Sequence, residues 1–520
     1  MNQTMMKTRT GFAGMLAAAV TVTGLLLTGP AQASVQGITG PTFNLTASPG
    51  YSSQPDGKSI YTWGYGCTGT PASYLPTRPS TYDGTNALQG PAPACPLWQL
   101  PGPTMIVNEG DVVTVNLTNS LPPAAGNTSI VFPGMNVTAS GGTSGLLTSE
   151  AGTGATVTYT FTASKPGTYS YHSGTQPELQ VEMGLYGALI VLPNPSNAGV
   201  ATCAARPAPQ GNMRLAPAAY DHALACYDRE YLFQFMEMDS RIHDAADAQA
   251  AACASSPCPQ IHVTTEPYHP NYFLINGRSM PDIQDTPYSP AYANQPYNGN
   301  PHMHPGELVL MRVIGQGRVQ HPFHFHGNHA RVIARDGNML LSKSDGVSLA
   351  GPLMFTDPTV SGQTHDMIFT WTGQGLNWDV YGTNPNVAHT CNGKNLPATP
   401  GDPSAQSAGF DPVTHEYCPD HGKPIPITPP DPQIVANGQW YGGTPYLGLQ
   451  NANGNPLSGT SGFTSTPLPP GTLNQNPEAG YAYMWHSHDE REITTNDVFP
   501  GGMLMMLLID PPSWAIDESL

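Results

Sequence analysis

PTMIVNEGDVVTVNLTN, residues 103–119, is the stretch whose reading decides the fold class. Apolar and polar side chains alternate on both sides of a Gly110-Asp111 turn, so each arm reads as a strand with one buried face and the two together read as a hairpin. The same alternation returns in ATVTYTFTA at 155–163, which leads through Pro166-Gly167 into TYSYHSG at 168–174 and then the apolar run GLYGALIVL at 184–192. These segments predict a first β domain over residues 41–195.

Further along, residues 196–227 are rich in Ala and Pro, lack periodicity and contain Cys203 and Cys226, which reads as a linker strapped by a disulfide. A second β domain is predicted over 228–512, opening on REYLFQFMEMD at 229–239 and continuing through YFLINGRSMPD, GELVLMRVIGQG, ARVIARDG, HDMIFTW, YAYMWHSH and GGMLMMLLID. Between about 383 and 476 the sequence turns to Gly, Pro, Asn and Thr, with Cys391, Cys418, Trp440, Tyr441 and Tyr446, and this predicts an ordered insertion within that domain.

Composition agrees with an all-β chain. Only 10% of the 520 residues are charged, and 56 Gly with 55 Pro supply turns rather than helix interiors. A net charge of -18 disfavours nucleic acid and anionic lipid as partners. Lys7 and Arg9 ahead of an apolar stretch from Leu16 to Leu27, with Ala31-Gln32-Ala33 before Ser34, read as an export signal over residues 1–33, so the expected location is periplasmic or secreted. Eight cysteines in an exported chain predict disulfides, the simplest pairing being between neighbours: 67 with 95, 203 with 226, 253 with 258 and 391 with 418.

Two histidine clusters carry the chemistry: HPFHFH at 321–326 and HSH at 486–488. Side chains two apart on a strand share a face, so His324 pairs with His326 and His486 with His488. Imidazoles converging from separate strands suit copper or zinc. Weaker candidates are Asp489, Glu490, Glu492 and Asp497 for a hard cation, and His302-Met303-His304 for soft metal capture. Met503, Met505 and Met506 lie in an apolar strand, where core packing is the better reading. Tyr171 and Trp485 flank histidines and are expected to pack around them. His329 follows Asn328 with no assigned role.

With PGPTMIVNEGDVVTVNLTNSL, GTYSYHSG, QVEMGLYGALIV, YFLINGRSMP, HPFHFHG and the terminal HSH with GGM in view, the chain resembles the multicopper oxidases. It is most similar to their two-domain branch. The resemblance implies tandem cupredoxin-like domains of Greek-key sandwich or barrel form, copper as cofactor, dioxygen as co-substrate and assembly as a homotrimer with copper at subunit interfaces.

Carried over residue by residue, the family's first paired-histidine motif falls on Val131-Phe132-Pro133-Gly134, where both ligands are replaced. The second falls on His172-Ser173-Gly174 and keeps one. The third is intact, with His321 at the mononuclear position and His324 and His326 at the cluster. The fourth keeps His486 and His488, but Ser487 stands in place of the cysteine and Glu492 in place of a histidine. The implied metal ligands are therefore His172, His324, His326, His486, His488 and, apart from them, His321.

Loss of the thiolate removes the expected blue-copper centre. The expected function is an exported copper-binding oxidoreductase that oxidises a small molecule or metal ion with dioxygen at an atypical histidine cluster. The alternative is a non-catalytic copper-sequestering protein on the same scaffold.

Overall fold

The computed structural model describes residues 35–76, 94–209, 213–253, 258–374, 392, 409–411, 417–420, 443–445, 481–510 and 516. The stretch 1–33 read as an export signal, most of the stretch 383–476 read as an insertion, with Trp440, Tyr441 and Tyr446, and Cys391 lie outside them.

Among the described residues the first half forms two five-stranded sheets. One runs in the order Gly167–His172, Tyr186–Leu192, Met105–Asn108, Gly37–Thr39, Tyr74–Leu75, and the other Ser59–Cys67, Thr42–Ser53, Val112–Asn119, Thr156–Thr162, Thr138–Ser140. The hairpin expected at 103–119 does not form. Met105–Asn108 and Val112–Asn119 are strands as read, but they belong to opposite sheets. Gly110, at φ 91°, and a bond from Asn108 N to Asp111 Oδ2 of 2.8 Å turn the chain from one sheet to the other. Alternation gives each arm a buried face in either arrangement. Here the faces meet across one core, Met105 and Val107 opposite Val113, Val115 and Leu117.

The second half forms a seven-stranded and a six-stranded sheet among the described residues. In the first of these Arg229–Met238 lies between Tyr272–Ile275 and Leu308–Gly315, followed by Thr364–Thr370 and Ala330–Arg335. In the second, His321–Phe325 pairs with Tyr481–Ser487, which pairs in turn with Leu504–Ile509. Their inner faces share a core of Phe233, Phe235, Met311, Phe323, Phe325, Phe369, Trp485, Met503 and Met505. The molecule is all-β, two cupredoxin-like sandwiches in series.

A helix at Ser240–Ala252 was not expected inside the second domain. Asp239 caps it, accepting from Arg241 N, and its alanines favour the helical backbone. Ile242 and Ala246 are buried in the core of the first sandwich rather than the second. The segment 196–227 also carries a short helix, Ala198–Ala204, held by the Cys203–Cys226 disulfide. Cys67–Cys95 and Cys253–Cys258 pair as expected, and Cys418 is also disulfide-bonded.

The two halves share an apolar seam. Ile106, Ala188 and Ile190 meet Leu232 and Ile314, and Leu100 and Tyr186 meet Met236, Met238 and Leu274. The strand Tyr186–Leu192 is buried on both faces, hence its unbroken apolar sequence. Among the described residues no helix is long and apolar enough to cross a membrane.

Candidate metal centre

Pairing of two strands builds the site. His324 lies directly opposite His486, with Phe323 opposite Ser487 and Phe325 opposite Trp485. The intervening Phe323, Phe325 and Trp485 point into the core, so the pleat turns the histidines to the other face. The two clusters, far apart in sequence, thereby converge. Neighbouring ring centroids of His324, His326, His486 and His488 lie 4.8 to 5.6 Å apart. One nitrogen from each of His324, His326 and His486 falls within 4.8 Å of the others. His488 lies at the rim, its side chain 55% exposed.

The donors around these rings set their orientation. His486 Nδ1 lies 2.6 Å from the Ser487 carbonyl oxygen, which can only accept, so Nδ1 carries the proton and the neutral ring keeps its lone pair on Nε2. That Nε2 faces His326 Nε2 at 3.3 Å. Two imidazoles bound at about 2 Å to one tetrahedral ion place their nitrogens about 3.3 Å apart. The His326 carbonyl accepts from Trp485 Nε1 at 3.0 Å, while its ring Nδ1 is buried without a hydrogen-bond partner among the described residues. His324 Nδ1 is 2.7 Å from Thr356 Oγ1.

Burial and the adjoining imidazoles lower His324 to about 4 and His326 to about 3, and His486 is lowered mainly by burial. All three are neutral at physiological pH, the form that ligates. This donor set fits copper or zinc.

His172 lies elsewhere, at the end of Gly167–His172 in the first sandwich, and the group of three ligating nitrogens does not include it. Its setting repeats that of His486: Nδ1 is 3.0 Å from the following carbonyl, of Ser173. It forms a bridge with Val131, as His486 pairs with His324, so Val131 occupies the equivalent of a ligand position. Space there is closed. A Cβ added at Gly174 would lie 2.7 Å from Val131 Cγ1, so the residues at two replaced ligand positions pack against each other. Tyr171 is buried in the first sandwich and donates to the Pro103 carbonyl at 2.7 Å.

His321, expected at a mononuclear copper, has both ring nitrogens on carboxylates. Nε2 is 2.8 Å from Glu237 Oε2 and Nδ1 is 2.8 Å from Glu492 Oε2. Ser487 Oγ donates to that same Glu492 oxygen. Burial alone would lower His321, but the hydrogen bonds to Glu237 and Glu492 prevail and raise it to about 9. The ring is therefore an imidazolium with no lone pair to offer, and a copper bound by His321 and Ser487 does not fit. Glu237 carries no sequence signal, since it is one of several polar residues in the strand Arg229–Met238 and lies 84 residues before its partner.

The weaker candidates disperse. Glu492 is buried against His321 while Asp489, Glu490 and Asp497 are exposed, so no cation site assembles from them. His302 Nδ1 binds Asp510 at 2.7 Å, whereas His304 Nδ1 lies 3.1 Å from Glu307, itself bonded to Arg229. Met503 and Met505 are fully buried in the core. His329 packs on Phe355, ring centroids 5.0 Å apart.

Comparison with known proteins bears on the family. Residues 98–196 and residues 264–352 each match a family model described as multicopper oxidase. Over 101 residues the chain is 39% identical to a laccase of Aspergillus fumigatus, covering 19% of this chain and 16% of that protein. Over 96 residues it is 38% identical to an L-ascorbate oxidase of Brassica rapa, covering 18% and 16%. The chain thus matches about a sixth of the length of these relatives. Among solved structures it is similar to a blue copper oxidase from Nitrosomonas europaea, with TM-score 0.42, 16% identity and coverage of 90% of this chain and 85% of that one.

Proposed function

The chain is a relative of the multicopper oxidases, matched in both halves, and from that premise we propose that it is an exported copper oxidoreductase whose copper is held by His324, His326 and His486, with His488 at the rim. The observation that carries this reading is the 3.3 Å approach of the His326 and His486 Nε2 atoms beside the His324 ring. Copper, when bound, would supply one-electron exchange with a substrate and with dioxygen.

The protein's own contribution is orientation. The Ser487 carbonyl fixes the tautomer of His486, Trp485 anchors the His326 backbone and Thr356 holds His324. Supports of this kind, outside the ligands, govern metal affinity. Exposure of His488 and of Phe355, which packs on the His324 ring, gives a small molecule or metal ion access to the cluster without a separate mononuclear centre. His172 would join the ligand set from a second copy of the chain, in keeping with the trimers that the resemblance implies.

Metal content, EPR and oxygen uptake test the reading. Purified protein reconstituted with copper is expected to retain at least one copper per chain, to lack an intense blue band and to consume oxygen with a phenol, Mn(II) or Cu(I). His326→Ala should weaken copper binding by more than about 10-fold. Protein that binds no copper after reconstitution would sink the proposal, and copper retained without oxygen uptake on any of these donors would remove its oxidase half.

A further inference from the structure

We propose that the Glu492 carboxylate is a built-in anion standing in the place where His321 and Ser487 would otherwise meet a mononuclear copper, and that this half of the expected copper apparatus is a closed, metal-free acid–imidazole–acid clamp. The proposal extends the reading that the chain has no blue-copper centre. It is tested on residues outside the four-histidine cluster, so it stands or falls separately from copper binding there.

The geometry is specific. One oxygen, Glu492 Oε2, lies 2.8 Å from His321 Nδ1 and accepts from Ser487 Oγ, so it marks the point on which both groups converge. On the other side of the ring Glu237 Oε2 takes Nε2 at 2.8 Å, while Glu237 Oε1 accepts from the backbone N–H groups of Arg318 at 2.6 Å and Val319 at 3.0 Å. His321, Glu237 and Ser487 are fully buried and the Glu492 side chain is only 6% exposed.

A hydroxyl and a ring N–H aimed at one oxygen form a site for negative charge. A cation placed there would meet hydrogens rather than lone pairs, and its binding would have to strip a proton from His321 and expel a buried carboxylate. Phe235 stacks on one face of the His321 ring with centroids 6.2 Å apart.

The clamp also positions the metal-binding turn. Ser487 Oγ accepts from Asp489 N at 3.2 Å, and Glu492 N bonds to the Asp489 carbonyl at 2.9 Å. Glu492 thereby ties the chain that follows His486 and His488 back onto the strand bearing His324.

The test uses the full-length chain in metal-free buffer. Glu492→Ala should lower the melting temperature, and formate, sized for the vacated carboxylate position, should restore at least half of that loss. Glu492→Gln, which leaves no vacancy, should also melt lower but gain nothing from formate.

Failure of formate to stabilise Glu492→Ala beyond its effect on the unmodified chain would overturn the anion-site claim. Should Glu492→Ala not fold, Ser487→Cys decides. With Glu492 still in place, copper should produce no intense blue band in that variant, and the appearance of one would refute the proposal.

Discussion

His321 is the residue whose environment departs furthest from its sequence motif, and its protonation should show in the stability of the molecule. A histidine raised to about 9 in the folded state binds its proton more tightly folded than unfolded. Its contribution is complete below the unfolded value of about 6.5 and is lost as pH rises through about 9. Calorimetry of the metal-free protein should therefore show a melting temperature that falls across this window. His321→Gln should start lower and lose less over the same range, and equal slopes for the two proteins would contradict the assignment. Gly317 should be equally sensitive. A Cβ there would collide with the Glu237 carboxylate, which backbone N–H groups hold in place. Gly317→Ala should destabilise by about 1–3 kcal/mol in urea unfolding. The histidine motifs and Ser487 were legible in the sequence because strand periodicity alone aligns them. Glu237 was not, because nothing local distinguishes a glutamate in a strand from one that reaches a distant imidazole.

At the scale of elements, strand existence was readable and strand partnership was not. Met105–Asn108 and Val112–Asn119 carry the alternation expected of a hairpin, yet alternation reports only that one face is buried, and two facing sheets satisfy it as well as one. The helix at Ser240–Ala252 had a usable signal: Asp239 at the cap, alanines throughout, and Ile242, Ala246 and Ala250 four residues apart. It was hidden by the strong strand pattern ahead of it. Asp239 also accepts from His269 N at 2.9 Å. Asp239→Ala should therefore cost about 1–2 kcal/mol, measured by urea denaturation. Because the helix packs into the first sandwich, the loss should appear in the unfolding of the whole chain and not as fraying confined to the second half.

At the scale of the molecule, the seam between halves contains a buried charged network beside its apolar contacts. Arg312 bonds Glu230 at 2.8 Å and reaches Thr168 of the first sandwich at 3.0 Å, while Thr168 donates to Asp366 at 2.6 Å. Glu230→Ala leaves the Arg312 charge buried with a weaker partner and should destabilise by about 3–5 kcal/mol. A single cooperative transition in the parent chain that splits into two in this variant would locate the effect at the seam; an unchanged melting profile would show the network to be dispensable. The sequence by itself determined that the chain is all-β, that two sandwiches follow one another, and that paired histidines form the candidate metal site, because period-two patterning and ligand spacing are local properties. Only the tertiary structure decided that the hairpin is a corner between sheets, that a helix from one half serves the core of the other, and that His321 is clamped between carboxylates rather than presented to a metal. Those outcomes depend on which surfaces and charges meet after the chain closes, and residues far apart in sequence decide that together.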